Sequence, residues 1–412
     1  MADAGGQADK QADPRKIRSV KRMKEIMTDY YIEAKGAAEA GKKVAWITSG
    51  GPVEPLIAMD VIPVYPENHG AMAGASKMGV ELCEKAEELG YPRELCSYAR
   101  SDIGCSAAGG GPIGGLPRPD FLVCCNNICG TVMKWYEAVS RHYGVPLFIL
   151  DTPFIHREFP EAARQYVQTQ IYEYIAFLEQ QCGRKMDFDR MQEVGRLSVE
   201  GIRLWQEVLD AGAHKPAPIT AFDAFFHMAL IVTLRGRQIT VDYYRGLRDE
   251  MQERIEQGIA MVPNEKYRLL WDNLPIWYRT KWLSEKFASH DACLVGDTYT
   301  SAWSAMAPYM DEENFLDSMS LAYSQVYINV SADLMFDTMR RLARKYDVDG
   351  VVMHSNRSCK PYSLGQYDMQ KMVTANLGLP TLILEADMVD ERSFSESQIE
   401  TRIDAFMETL ES

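Results

Sequence analysis

Asp120-Phe-Leu-Val-Cys-Cys-Asn-Asn-Ile-Cys129 and Asp349-Gly-Val-Val-Met-His-Ser-Asn-Arg-Ser-Cys359 decide the reading of this chain, because they are two versions of one pattern. Each is a short apolar run, read as a buried strand, that breaks into a polar loop ending in cysteine. Each is followed by a stretch of helical period, Thr131 to Tyr143 and Gly365 to Leu377, and then by a second apolar run, Val145 to Asp151 and Leu379 to Glu385. Strand, loop, helix and strand in that order favour parallel sheets, whose ligands sit beyond the carboxyl ends of the strands. Cys129 and Cys359 both fall there.

The flanking sequence extends the pattern. Val44-Ala-Trp-Ile-Thr48 reads as a strand running into the turn Ser49-Gly-Gly-Pro52 and a short helix, Pro55 to Met59. Val61-Ile-Pro-Val-Tyr65 reads as the next strand and ends at Pro66-Glu-Asn-His69, so Ser49 and Glu67 each follow a strand end. Lys77 to Leu89 is helical in period, Cys96 lies in the segment Glu94 to Ile103, and Gly104 to Gly115 reads as a loop. Glu161 to Lys286 carries helical periodicity, and Asp291 to Tyr299 reopens the strand pattern. The expected fold is α/β: two Rossmann-like, flavodoxin-like parallel-sheet domains facing a cleft, with a largely helical insert. The expected limits are a disordered tail at 1–15, an N-terminal α/β domain at 16–160 with Ser49, Glu67, Cys96 and Cys129, a largely helical region at 161–290, and a C-terminal α/β domain at 291–412 with Cys359.

A chain of 412 residues with 46% hydrophobic residues fills the cores such domains need. Its formal net charge of −14 argues against a broad nucleic-acid surface, which takes clustered lysine and arginine. No apolar run approaches the roughly 18 residues of a membrane span, and Met1 to Arg15 is polar without the apolar core of a signal peptide. A cytoplasmic protein is expected. The nine cysteines are an odd set spread through a long chain, a pattern of reduced thiols rather than of a disulfide scaffold.

Cys96, Cys129 and Cys359 stand in polar surroundings. Three thiolates can hold an iron–sulfur cubane with one iron left open, or, with His69 or His354 as a fourth ligand, a tetrahedral zinc. Unrelated structural thiols are the third reading. Cys124, Cys125, Cys182 and Cys293 lie in strand-like or helix-like settings and read as buried and inert, while Cys105 is either a ligand or a loop thiol. Ser49 and Glu67 can move a proton or orient a leaving group, although a serine before Gly-Gly-Pro also caps helices and a glutamate also pairs with cations. The stretch Gly104 to Gly115 fits neither glycine-rich phosphate motif.

Taken together, Trp46-Ile-Thr-Ser49-Gly, Tyr65-Pro-Glu67-Asn-His69-Gly, Cys96, Asn127-Ile-Cys129-Gly-Thr with Lys134-Trp135, and His354-Ser-Asn-Arg-Ser-Cys359 resemble the 2-hydroxyacyl-CoA dehydratase and benzoyl-CoA reductase family, from about Lys16 to Ser412. The resemblance implies a [4Fe–4S] cluster on Cys96, Cys129 and Cys359 with one iron free of cysteine, and dehydration of a 2-hydroxyacyl-CoA through a ketyl radical anion. It implies that Ser49 and Glu67 act near the leaving hydroxyl and that the chain is the substrate-binding, alpha-type subunit. The implied partners are a homologous beta-type subunit carrying a second cluster, an ATP-hydrolysing iron–sulfur activator and the acyl-CoA. An aryl-CoA reductase of the benzoyl-CoA type and a non-catalytic electron-relay subunit are the alternatives. A related branch of the family binds a larger iron–sulfur assembly through extra cysteines, and Cys105, Cys124 and Cys125 keep that alternative open for this chain.

Overall fold

Short apolar runs with buried side chains on both faces become strands of parallel sheet when helices cover the two sides. The computed structural model describes residues 13–411, and the strands β1 (Val44–Ile47), β2 (Ile62–Val64), β3 (Phe121–Cys125) and β4 (Leu147–Leu150) form one sheet, in the order β2-β1-β3-β4. Strands β5 (Tyr267–Asp272), β6 (Ala292–Asp297), β7 (Gly350–Asn356) and β8 (Thr381–Ala386) form a second, in the order β6-β5-β7-β8. Every pairing in both sheets is parallel. The echo read around β3 and β7 therefore covers whole sheets: each repeats the flavodoxin-like order with its switch point between the first and third strands.

The strands β3 and β5 are buried along their full length. Thr131–Tyr143 is a helix, as its period predicts, and Gly144 closes it in the left-handed conformation. Between the sheets in sequence run long helices, Glu161–Cys182, Phe188–Asp210 and Gln238–Glu256. Asp187 caps the second by accepting the Arg190 backbone N–H at 3.0 Å, and that helix buries Met191, Ile202, Trp205 and Val208. Each such side chain contributes about 1.5–3 kcal/mol by leaving water.

A buried ion pair ties this helical layer to the first sheet. Arg235 Nε donates to Glu54 Oε1 at 3.2 Å, and the Tyr323 hydroxyl donates to Glu54 Oε2 at 2.5 Å. Arg235 also donates to the Gly51 carbonyl at 3.2 Å, directly beneath the turn that follows β1.

Three expectations change. The stretch 161–290, read as largely helical, contains β5, the inner strand of the second sheet between β6 and β7. Gly104 and Cys105 are not loop residues but belong to the helix Ser97–Ala108, and the glycine-rich turn begins after it. Gly104 is needed inside that helix, since a Cβ there would sit 1.9 Å from the Leu82 carbonyl oxygen of the neighbouring helix Gly79–Glu88. Most of the tail expected at 1–15 lies outside the described residues, yet the carbonyls of Pro14 and Arg15 accept from Arg254 at 3.0 and 3.1 Å. Among the described residues no helix is long and apolar enough to cross a membrane.

Candidate active site between the two sheets

The carboxyl ends of both sheets supply one cavity of about 130 Å³. Ser49 and Gly50 follow β1, Glu67 follows β2, Cys129 follows β3, Leu274 follows β5, Tyr299 follows β6, Cys359 follows β7 and Met388 follows β8, and all of them line it. Cys96 joins them from the start of the helix Ser97–Ala108. All five residues singled out by sequence, Ser49, Glu67, Cys96, Cys129 and Cys359, therefore meet in one place. His69 and His354 do not line the cavity: His69 Nε2 lies 3.2 Å from the Pro112 carbonyl and His354 Nδ1 lies 2.6 Å from the Leu274 carbonyl.

The three thiols share a local design. Each precedes a helix, Ser97–Ala108, Thr131–Tyr143 or Lys360–Ser363, and backbone N–H groups of the first turn act to lower its pKa against the effect of burial. Burial pushes Cys96 up to about 12, the N–H groups of Ala99 and Tyr98 oppose that shift, and nearby Cys129 adds to it. Cys359 is raised by burial and then by Cys96, and Cys129 is raised by burial. As bare thiols these groups are protonated at neutral pH; a positive centre among them would reverse that preference, and the N-termini of Ser97–Ala108 and Thr131–Tyr143 favour the anionic form of Cys96 and Cys129.

Hydrogen bonds fix the cysteine loops to one another. Ser358, beside Cys359, accepts the backbone N–H of Ser97, beside Cys96, at 3.2 Å and donates to Asp387 Oδ2 at 2.5 Å. Asn127, two residues before Cys129, donates to the carbonyls of Gly50 at 2.8 Å and Tyr323 at 2.7 Å. A Cβ on Gly50 would stand 2.6 Å from Ile128 Cγ2, so only glycine lets the Cys129 loop approach the Ser49 turn this closely.

Glu67 is the one charged side chain among the cavity's lining residues. Its Oε1 accepts the Ser49 backbone N–H at 3.1 Å, and its buried Oε2 has no hydrogen-bond partner. Burial raises the carboxyl to about 7. Tyr136 lowers it somewhat from nearby, although the buried Tyr136 hydroxyl is outside hydrogen-bond geometry and is itself unpartnered. Tyr98 and Tyr299 also line the cavity, and Tyr98 Oη accepts from Trp277 Nε1 at 2.6 Å. Sequence reading misses these tyrosines; the available signal is position alone, since Tyr98 opens the helix after Cys96 and Tyr299 follows β6.

Of the other thiols, Cys124, Cys125 and Cys293 are buried in strands, and Cys182 is half-buried at the end of the helix Glu161–Cys182. Cys105 is buried outside the cavity, with its Sγ 3.1 Å from the Gly110 carbonyl.

The chain is 36% identical over 390 residues to the (R)-2-hydroxyisocaproyl-CoA dehydratase alpha subunit of Clostridioides difficile, covering 94% of this chain and 95% of that protein. It is 32% identical to the alpha subunit of the lactoyl-CoA dehydratase of Anaerotignum propionicum over 92% of this chain and 93% of the relative. One component of the benzoyl-CoA reductase of Thauera aromatica is 27% identical over 96% of this chain and 95% of its own length. The family model described as 2-hydroxyglutaryl-CoA dehydratase, D-component, matches residues 48–410, the span that carries both sheets from the end of β1 onward and all five cavity residues, and the chain belongs to that family.

Proposed function

We propose that this chain is the substrate-binding, alpha-type subunit of a 2-hydroxyacyl-CoA dehydratase, a hydro-lyase that forms a 2-enoyl-CoA through a ketyl radical anion, with a [4Fe–4S] cluster on Cys96, Cys129 and Cys359. Similarity to dehydratase alpha subunits over nearly their whole length supports the reaction class and a partner subunit. The observation that carries the mechanism is that Ser49 and Glu67 share a cavity with three free cysteines.

What supports the cluster is the chemistry of the donors: Cys96, Cys129 and Cys359 are free thiols lining one cavity, and thiolates are the ligands that iron–sulfur clusters take. When bound, the cluster supplies reversible one-electron chemistry, which makes the otherwise barely acidic β-hydrogen of a saturated thioester removable.

Expulsion of the 2-hydroxyl needs a proton, and Glu67, raised to about 7, still carries one in a large fraction of molecules at neutral pH. The Ser49 N–H holds one of its oxygens and leaves Oε2 for the substrate hydroxyl, which the Ser49 side chain helps to orient. Ile128, Val132, Trp303 and Met306 line this space with apolar surface. With no lysine, arginine or histidine among the lining residues, a carboxylate on the acyl chain would be desolvated without a partner, so a neutral, apolar acyl chain is favoured.

The test is strictly anaerobic purification with iron and sulfide quantification, followed by product analysis with an ATP-hydrolysing activator and 2-hydroxyisocaproyl-CoA. The expected result is a 2-enoyl-CoA formed without net consumption of reductant. Stoichiometric reductant use on an aryl-CoA instead would make the chain a reductase subunit, and iron-free protein that stays iron-free on reconstitution would remove the cluster.

A further inference from the structure

A second cavity, of about 670 Å³, adjoins the first and shares the lining residues Ser49, Glu67 and Tyr299 with it. One wall is the helix Ser19–Lys35, which contributes Met23, Lys24, Met27, Thr28, Ile32 and Lys35. These positions fall on one face at helical spacing. The facing wall is Phe225, Phe226, Met228 and Val232, and the side nearest Glu67 is Asn68, Ala71 and Met72 from the helix Pro66–Ala75. The helix Ser19–Lys35 lies before the residues matched by the family model.

The lining of this channel is mainly apolar, with polar side chains on Thr28, Tyr31, Ser49, Glu67 and Asn68. Its rim carries Lys24 and Lys35, the two cationic residues that line it, in a chain of net charge −14. Lys24 forms no ion pair among the described residues, and Lys35 Nζ donates to the Ile113 carbonyl in the glycine-rich turn that follows the helix Ser97–Ala108. That turn thus stands at the rim. Three large apolar side chains there remain open to solvent, Ile32 at 65%, Phe226 at 44% and Ile113 at 38% exposure.

We propose that this channel holds the coenzyme A moiety of the thioester: the pantetheine arm runs between the helix Ser19–Lys35 and Phe225 to Val232, and Lys24 and Lys35 bind the nucleotide phosphates at the rim. The proposal rests on the acyl-CoA reading above and adds to it the part of the protein that recognises the carrier. An extended arm with few polar atoms matches an apolar passage with occasional hydrogen-bonding groups. The phosphates require cations, and the exposed Phe226 and Ile32 offer the adenine an apolar face. The passage ends at Ser49 and Glu67, where the thioester has to arrive.

The test is calorimetric binding of free coenzyme A and of pantetheine to the anaerobically purified protein and to its Lys24→Ala/Lys35→Ala variant. Both lysines are exposed, and pantetheine, which lacks the nucleotide, reports on the integrity of the channel. The expected result is coenzyme A affinity lowered about tenfold, with pantetheine affinity unchanged. Rising salt should weaken coenzyme A binding to the parent more than to the variant. Unchanged coenzyme A affinity, or an equal loss for both ligands, would overturn the proposal. Lysine-dependent binding in a protein that dehydrates no 2-hydroxyacyl-CoA would uphold the carrier site and sink the dehydratase reading.

Discussion

The backbone N–H of Ser97 donates to the hydroxyl of Ser358 at 3.2 Å, so the residue after Cys96 and the residue before Cys359 touch across the cleft. The same hydroxyl donates to the buried Asp387 at 2.5 Å. Ser358→Ala removes both bonds and leaves a buried carboxylate short of a donor, at a cost of about 1–3 kcal/mol. The expected outcome is a lower melting temperature together with less iron bound per chain after anaerobic reconstitution, read by calorimetry and iron assay.

Removing any one of the three cavity thiols should empty the site. Cys96→Ala, Cys129→Ala and Cys359→Ala are each expected to lose most bound iron, whereas Cys105→Ala, outside the cavity, should retain it. Iron and sulfide quantification on all four variants checks this, and full iron retention in Cys129→Ala would remove that residue from the ligand set.

If Glu67 donates the proton as proposed, it should set a pH limit on the reaction. Its proton is largely present below about pH 7 and lost above it, so a step in which it donates slows as pH rises through 7. Glu67→Gln is expected to lower the dehydration rate by about 10²–10⁴-fold and to abolish that limb of the pH profile. Retention of the limb in the variant would assign the ionisation elsewhere.

Asp102 supplies a stability test independent of activity. It is buried, accepts from Trp135 Nε1 at 2.7 Å, and is raised by burial from 3.8 to about 7. Between about pH 4 and 7 the folded chain keeps a proton that the unfolded chain has lost, so this group makes stability fall as pH rises through that window. Asp102→Asn keeps an acceptor for Trp135 and should flatten this part of the stability curve, measured by denaturant unfolding at several pH values.

The Glu54 and Arg235 pair is held in a fully buried setting by Tyr323, Ser198 and the Gly51 carbonyl. Arg235→Met leaves the Glu54 carboxylate uncompensated and should cost about 3–5 kcal/mol. The double change Glu54→Gln/Arg235→Met should recover part of that loss in a double-mutant cycle.

The strand and cysteine-loop units are legible because β3 and β7 are apolar runs broken by polar loops. The inner strand β5 is not, for a physical reason. A strand buried on both faces shows no alternation, and Tyr267-Arg-Leu-Leu-Trp-Asp272 includes an arginine that looks like a helix surface. Arg268 is in fact buried, and its charge is met by Glu265 and by the carbonyls of Gly212 and Tyr346. Gly104 misleads in the opposite sense: glycine signals a turn locally, but here it serves a close helix crossing that only tertiary structure reveals. The five cavity residues are readable because each follows a strand or opens a helix. Tyr98 and Tyr299 hold the same kinds of position, but a tyrosine there reads as ordinary core, so position alone does not single them out.

The paired sheets have a consequence for how the protein comes apart. The first sheet's half provides Cys96, Cys129, Ser49 and Glu67, and the second half provides Cys359, so neither half owns a complete set. Any rupture of the seam between them would separate Cys359 from the other cavity residues before either sheet melts, so a cluster held as proposed would be lost early in unfolding rather than late.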